Sequence, residues 1–349
     1  MKYKYQFLLL FIPVFLSCEK TDFELSTNSD DFFFIENEGA QMPVWVQGNT
    51  NSKKMVILLH GGPGGSSFIF DAFFEAFTRP LEDRYGVVYW EQRSSGTSQG
   101  SVDPESLTPE QFEADLSGLL EVLQSQYGMD VAYYLAGISW GGYLGNSWLI
   151  NSGKQDQIKG WINIVGPHDF KAIANVGRDK LAFYANQQIG YGKEVEAWQE
   201  IQEWCASHPT ISNTADFLKE NQYANQADIL MFDSLDMETP PPSLAAQLKF
   251  AFDSPFNSNA WLVNLKGIQD SNLIETLFER PLDCSKITIP TLMVGGYFDF
   301  VVPAPVLQDQ FEQLSATEKS IHILPRSGHG LVGHEATKLV SLMIDFIDF

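Results

Sequence analysis

The stretch Val131-Ala132-Tyr133-Tyr134-Leu135-Ala136-Gly137-Ile138-Ser139-Trp140-Gly141-Gly142 decides the architecture. Its first six residues are apolar or aromatic without a break, the pattern of a strand buried on both faces of a parallel sheet. From Gly142 to Ile150 the chain suits a helix, so Gly137 to Gly141 must form a tight strand-to-helix turn. A serine at the apex of such a turn is forced into an uncommon dihedral and needs small residues two positions before and after it, where the backbones converge. Both positions are glycine.

Outward from this turn, strand and helix patterns alternate. Short β-branched or aromatic runs recur at Met55 to His60, Val87 to Trp90, Gly160 to Val165, Thr291 to Gly295 and Ile321 to Leu324, and two strand-like runs, Phe32 to Glu36 and Met42 to Gln47, precede them. The clearest helix starts at Thr108, whose hydroxyl offers an N-cap, with Pro109 at the first helical position and Gln111 completing a capping box. Phe112, Leu116, Leu119, Leu120, Leu123 and Tyr127 then share one face, and Gly128 ends it. A last helix is predicted from about Glu335 to Phe346, with Leu339, Val340, Met343 and Phe346 inward. This alternation specifies an α/β fold with a mostly parallel, twisted sheet flanked by helices. It fails between residues 170 and 284, where helical patterns such as Glu194 to Ala206 and a Thr239-Pro240-Pro241-Pro242 stop occur without a strand. That interval is predicted to be an inserted helical cap on a core formed by residues 32–169 and 285–349.

Of the 349 residues, 44 are acidic and 22 basic, a formal charge of −22 that repels phosphate backbones and anionic lipid and excludes nucleic acid as a partner. Hydrophobic residues at 44% and aromatics at 13% exclude a disordered or fibrous chain. Met1 to Ser17 reads as a targeting segment: Lys2 and Lys4 precede the apolar run Phe7 to Leu16, which is too short to span a bilayer. Phe15-Leu16-Ser17-Cys18 is similar to a bacterial lipoprotein signal, in which cleavage before the cysteine frees it for lipid attachment. On that reading Cys18 anchors the protein to a membrane of the cell envelope, and residues 18–31 are a flexible polar tether. An ordinary secretory signal, giving a soluble exported protein, is the alternative. Cys205 and Cys284 either pair in an oxidising compartment or serve as small buried apolar residues. No dinucleotide or Walker motif and no paired histidines are present, so neither a cofactor nor a catalytic metal is expected.

Ser139 is the candidate nucleophile, and the helix behind it points its positive end at the serine oxygen. His60-Gly61-Gly62-Pro63-Gly64-Gly65 closes another strand with a loop whose amides approach a ligand closely. The backbones of Gly62 and Trp140 are the expected donors to an oxyanion, which such preorganised groups stabilise by several kcal/mol. His60 itself is expected to brace the loop. Asp299, in Gly296-Tyr297-Phe298-Asp299, and His329, in Ser327-Gly328-His329-Gly330, each follow a predicted strand. Both therefore fall on the sheet edge where open α/β folds bind ligands. His329 would take the Ser139 proton and Asp299 would hold its imidazole. His168, His208, His322 and His334 are expected in hydrogen-bonded structural roles.

Together these residues resemble the proline iminopeptidase group of serine peptidases within the α/β-hydrolases. The match lies in the HGGPGG loop at 60–65, in Tyr89-Trp90-Glu91-Gln92-Arg93-Ser94-Ser95-Gly96-Thr97-Ser98, in Gly137-Ile138-Ser139-Trp140-Gly141-Gly142, and in Asp299 and His329. It covers the chain from about residue 40 onward and implies an α/β-hydrolase fold, a helical cap, and release of an N-terminal residue from short peptides through an acyl-enzyme. The usual DQRG is here Glu91-Gln92-Arg93-Ser94, which keeps the acid and the arginine but loses the glycine. The family binds the substrate's α-amino group with cap glutamates. Glu220-Asn221-Gln222-Tyr223 is similar to one such segment, ENHY, which makes Glu220 the candidate, with Glu200 and Glu203 as alternatives and a solvated helix face as the plain explanation for all three. An esterase, lactonase or amidase acting on another small substrate with the same three residues stays open, as does a non-catalytic binding lipoprotein. Epoxide hydrolase and dehalogenase chemistry is disfavoured, since those enzymes carry a carboxylate at the elbow.

Overall fold

A computed structural model describes residues 29–234, 244, 247 and 254–349; the predicted signal, Cys18 and the Thr239 to Pro242 stop lie outside these. The extended runs pair into one nine-stranded sheet: β1 (Ser29–Asn37), β2 (Ala40–Gly48), β3 (Lys54–Leu59), β4 (Gly86–Trp90), β5 (Gln99–Gly100), β6 (Ala132–Ile138), β7 (Gly160–Ile164), β8 (Thr291–Gly296) and β9 (Lys319–Leu324). The spatial order is β1-β2-β4-β3-β6-β7-β8-β9, with β5 beside β2. Pairing is antiparallel for β1 with β2 and β2 with β4, and parallel for every neighbour from β4 to β9.

Helices are α1 (Phe68–Phe73), α2 (Glu75–Glu82), α3 (Pro109–Tyr127), α4 (Trp140–Asn151), α5 (Phe170–Gly190), α6 (Val195–Ser207), α7 (Thr214–Ser234), α8 (Ser258–Asp270), α9 (Leu273–Phe278), α10 (Ala304–Gln313), α11 (Leu331–His334) and α12 (Ala336–Asp348). They cover both faces of the sheet, which is why the central strands are apolar without alternation. Along β3, Met55, Ile57 and Leu59 join a core built with α3, α4 and α10. Val56 and Leu58 turn the other way, to α2, α11 and α12. Between β7 and β8 the chain forms α5 to α9, and Phe170, Trp198 and Phe217 from these helices extend the first core above the sheet edge.

Local signals behave as their chemistry dictates, with two corrections. The stretch expected to be a tether up to residue 31 already enters β1 at Ser29, because Trp45 donates its indole N–H to Asp30 at 2.5 Å and the Tyr127 hydroxyl donates to Asp31 at 2.7 Å. Thr108 caps α3 by accepting from the Gln111 N–H at 3.3 Å, but the Gln111 side chain reaches forward to Asp115 rather than back. In α12, Phe346 packs partly buried against the core with its ring beside Gly160, as expected, and Ile347 adds a more deeply buried residue to the last turn.

The segment after β4 ties the sheet to its loops through buried charge. Glu91 accepts from the Ser66 hydroxyl (2.8 Å) and from the Ser67, Phe68 and Thr97 N–H groups (2.7, 3.1 and 2.9 Å). Burial pushes its carboxyl pKa up, and these four donors pull it back. A Cβ on Gly96 would overlap the Glu91 carboxylate, so that residue must be glycine. Arg93 forks onto Asp115 through Nε and through Nη2 at 2.6 Å, both side chains fully buried. Ser94, standing where the resemblance has glycine, is held at φ 48°, the left-handed backbone that glycine suits. Arg93→Met would leave the Asp115 charge buried without its partner, and we expect a loss of about 3–5 kcal/mol. Urea unfolding checks this as a lowered midpoint at unchanged slope.

Candidate active site

The turn from β6 to α4 is held by steric necessity. A Cβ on Gly137 would lie 2.3 Å from the Gly141 oxygen, and one on Gly141 would lie 2.0 Å from the Leu59 oxygen. Only glycine at both positions lets the helix start this close to the strand. Ser139 pays for the turn with φ 54° and ψ −117°, while its N–H donates to the Ile164 oxygen at 2.9 Å. Its hydroxyl is thereby presented at the carboxyl ends of the parallel strands.

Two loops bring partners to it. Asp299 follows β8 and is fully buried; its Oδ1 accepts from the Val301 and Val302 N–H groups at 2.9 and 2.7 Å, which leaves Oδ2 for His329. His329 Nδ1 lies 3.0 Å from that oxygen, and Nε2 lies 3.0 Å from Ser139 Oγ. A carboxylate only accepts, so Nδ1 carries the proton and Nε2 is the bare nitrogen that accepts from the serine hydroxyl. Burial works against the imidazolium, but the Asp299 charge and hydrogen bond outweigh it with a smaller push from Asp228, and the His329 pKa stands above the ordinary histidine value. The three candidates that are far apart in sequence are one hydrogen-bonded chain in space. Such a chain can move a proton from the serine oxygen to the imidazole as the oxygen attacks a carbonyl.

Gly62 and Trp140 line the same cavity as Ser139 and His329, which has a volume of about 240 Å³. The Trp140 N–H opens α4, where first-turn amides lack helical acceptors, so it is free to donate there. The glycine loop is braced from behind. His60 is fully buried, which lowers its pKa to about 4 and keeps it neutral. Its Nδ1 donates to the Gly61 oxygen at 2.8 Å and its Nε2 accepts from the Gln92 N–H at 3.3 Å. Gln92 in turn accepts from the Trp140 indole at 2.8 Å, linking loop and elbow.

Glu220, Glu200 and Glu203 are not among the described residues that line the cavity. Glu220 is 1% exposed and faces inward from α7, where its Oε1 would lie 2.4 Å from a Cβ on Gly177 and has no hydrogen-bond partner among the described residues. Burial raises its carboxyl pKa well above the usual carboxylate range. Glu200 and Glu203 are exposed on α6, Glu200 accepting from the Tyr223 hydroxyl at 2.9 Å. The α7 residues that do line the cavity are Phe217, Leu218, Asn221 and Asn225. Asp228, further along α7, is a residue that sequence reasoning misses. It is buried, and it accepts from the His329 N–H at 2.7 Å and the Phe300 N–H at 3.1 Å. A signal for it exists: Phe217, Glu220, Ala224, Ala227, Asp228 and Met231 form one helical stripe, so both acids ride the buried face.

The remaining histidines sit in local contacts: His168 beside Asp309 at 3.1 Å, His208 stacked on Trp204, His334 stacked on Phe232, and His322 within β9. Cys205 and Cys284 are buried free thiols whose pKa values burial raises to about 12. Among the described residues no cluster of His, Cys, Asp and Glu could hold a metal ion, and no helix is long and apolar enough to cross a membrane.

The chain is similar to known proteins along most of its length. A proline iminopeptidase of Lactobacillus helveticus (strain DPC 4571) is 23% identical over 318 residues, covering 87% of this chain and 92% of its own. A probable aminopeptidase of Bacillus subtilis (strain 168) is 22% identical over 292 residues, covering 81% and 86%. Among solved structures, a proline iminopeptidase-related protein of Thermus thermophilus superposes with a TM-score of 0.60 at 19% identity, covering 91% of this chain and 99% of its own. The profile of the α/β-hydrolase fold matches residues 54–332, and the chain belongs to the α/β-hydrolase family.

Proposed function

We propose that this hydrolase works through an acyl-enzyme on Ser139 and releases the N-terminal residue of short peptides. The observation that carries the acyl-enzyme is the unbroken Ser139–His329–Asp299 chain, 3.0 Å at each link. Ser139 Oγ bonds to the carbonyl carbon while its proton passes to His329 Nε2. That proton then goes to the leaving amine as the C–N bond breaks, and water repeats the sequence to free the acid and regenerate the serine. The N–H groups of Gly62 and Trp140 are assigned to the oxyanion.

The peptide substrate draws its support from the HGGPGG and GxSWGG motifs and from the aminopeptidases that the chain resembles along most of its length. With Glu220 turned away, the amide oxygens of Asn221, which also accepts from Asn225 Nδ2 at 3.1 Å, and of Asn225 are acceptors on the described cavity wall for a substrate ammonium. A second reading, an esterase or amidase for uncharged acyl groups, is favoured by that same wall: among the described residues its lining holds no carboxylate, and Phe170, Ile173, Phe217, Val301 and Val302 make it apolar. Attachment to an envelope membrane through Cys18 is part of the proposal and rests on the signal-like N-terminus.

Ser139→Ala is expected to lower kcat by on the order of 10⁴- to 10⁶-fold and to abolish adduct formation with a fluorophosphonate probe. Because only neutral His329 accepts the proton and its pKa is raised, the acid limb of kcat/KM should fall above the ordinary histidine value of 6.5; a limb below it would contradict the assigned hydrogen bonds. Prolyl and other aminoacyl naphthylamides should be cleaved faster than acetate or butyrate esters, and N-acetylation should cost at least about tenfold in kcat/KM, or about 1.4 kcal/mol. Equal rates on free and acetylated substrates would select the second reading.

A further inference from the structure

We propose that Lys180 on α5 and Asp228 on α7 are positioning residues, which hold the acid and base loops from the cap side so that the Ser139 chain is assembled only while these helices are docked. The proposal rests on the acyl-enzyme reading. Lys180 Nζ donates to the backbone oxygens of Tyr297 and Asp299, each at 2.8 Å, and lies 4.9 Å from the centre of the Phe300 ring. Asp228 takes the next two anchor points with one carboxylate: Oδ1 accepts from the Phe300 N–H at 3.1 Å and Oδ2 from the His329 N–H at 2.7 Å. Four backbone groups on the two loops that carry the acid and the base are therefore fixed by two side chains that belong to neither loop.

The fit is built for this contact. A Cβ on Gly328 would stand 2.6 Å from Asp228 Oδ2 and 2.7 Å from the Phe232 ring, so the glycine beside His329 is what lets α7 come down onto the base loop. The charged groups facing Asp228 are Asp299, His329 and Lys180. Burial first, and then the Asp299 charge, push the Asp228 pKa up to about 7. Burial lowers Lys180 to about 8, against the pull of Asp299 and Asp228. An ionised Asp228 favours the His329 imidazolium, so removing its charge must lower the His329 pKa.

The test follows the rate of fluorophosphonate labelling at Ser139 against pH in the wild type, Asp228→Asn, Lys180→Met and Lys180→Arg, with thermal midpoints measured alongside. Displacing a reacting group by about 1 Å costs up to about 10²-fold. Asp228→Asn and Lys180→Met should therefore label about 10- to 100-fold more slowly while folded, and Lys180→Arg, which still donates to two carbonyls, should recover most of the rate. In Asp228→Asn alone the acid limb should move to lower pH, which a merely structural contact would not cause. A folded Asp228→Asn with the wild-type rate and limb, or a Lys180→Arg no faster than Lys180→Met, would overturn the proposal. If Asp228→Asn is not recovered folded, the Lys180 pair decides alone. A wild-type protein that takes no label would instead overturn the serine reading itself.

Discussion

The turn from β6 into α4 closes so tightly that the Gly141 oxygen occupies the place a side chain at residue 137 would need, and the Leu59 oxygen occupies that of residue 141. This contact between main chains sets the height of Ser139 above the sheet. It also requires β3 and β6 to be neighbours and parallel, as they are, because the Leu59 oxygen comes from the end of β3. The glycine loop at 60–65 leaves that same strand end, so the loop assigned to the oxyanion and the nucleophile share one support. Parallel pairing from β7 to β9 then brings the Asp299 and His329 loops out at the same edge. Three residues spread over most of the chain meet because every strand that carries one points the same way.

Burial of charge follows a consistent rule around this edge. Glu91 and Asp299 each accept from backbone N–H groups, and Arg93 covers Asp115 with a two-pronged contact. Each ion has neighbours that replace water, which is the condition under which burial is tolerated. Glu220 departs from it: among the described residues one of its oxygens lacks a partner beside Gly177, and burial raises its pKa. Asp228 lies between these cases: it has two N–H donors but also the Asp299 charge nearby, and its pKa is held close to neutrality.

Most of the sheet was legible because strands covered on both faces must be apolar along their whole length, and Met55 to Leu59 or Val87 to Trp90 admit little else. The elbow was legible because its glycines answer a steric demand that few other structures make. What escaped was set by tertiary context. Two-residue β5 and six-residue α1 are too short to show a period, and the start of β1 depends on Trp45 and Tyr127, which lie far along the chain. On α7 the motif resemblance points to Glu220, whereas the stripe through Phe217, Ala224, Ala227 and Met231 fixes that acid as buried. Asn221, one residue further, turns to the cavity. A shift of one position on a helix rotates a side chain by about 100°, which is enough to exchange a ligand contact for a core contact.

That rotation bears on how a cationic substrate would be recognised. With 44 acids against 22 bases, the protein's long-range field draws positive charge toward it from solution. Among the described residues, the cavity wall beside Ser139 offers neutral amide oxygens and apolar surface rather than a fixed anion. A buried carboxylate aimed at the substrate would sit near Asp299 and raise further the pKa of His329, making the base harder to keep neutral. On the proposed reading, leaving attraction to the distant field and orientation to neutral acceptors avoids that conflict. The same constraint explains why acids close to the base either point away, as Glu220 does, or bind main-chain N–H groups, as Asp228 does. The charge nearest the imidazole then remains that of Asp299, aligned with the proton it stabilises.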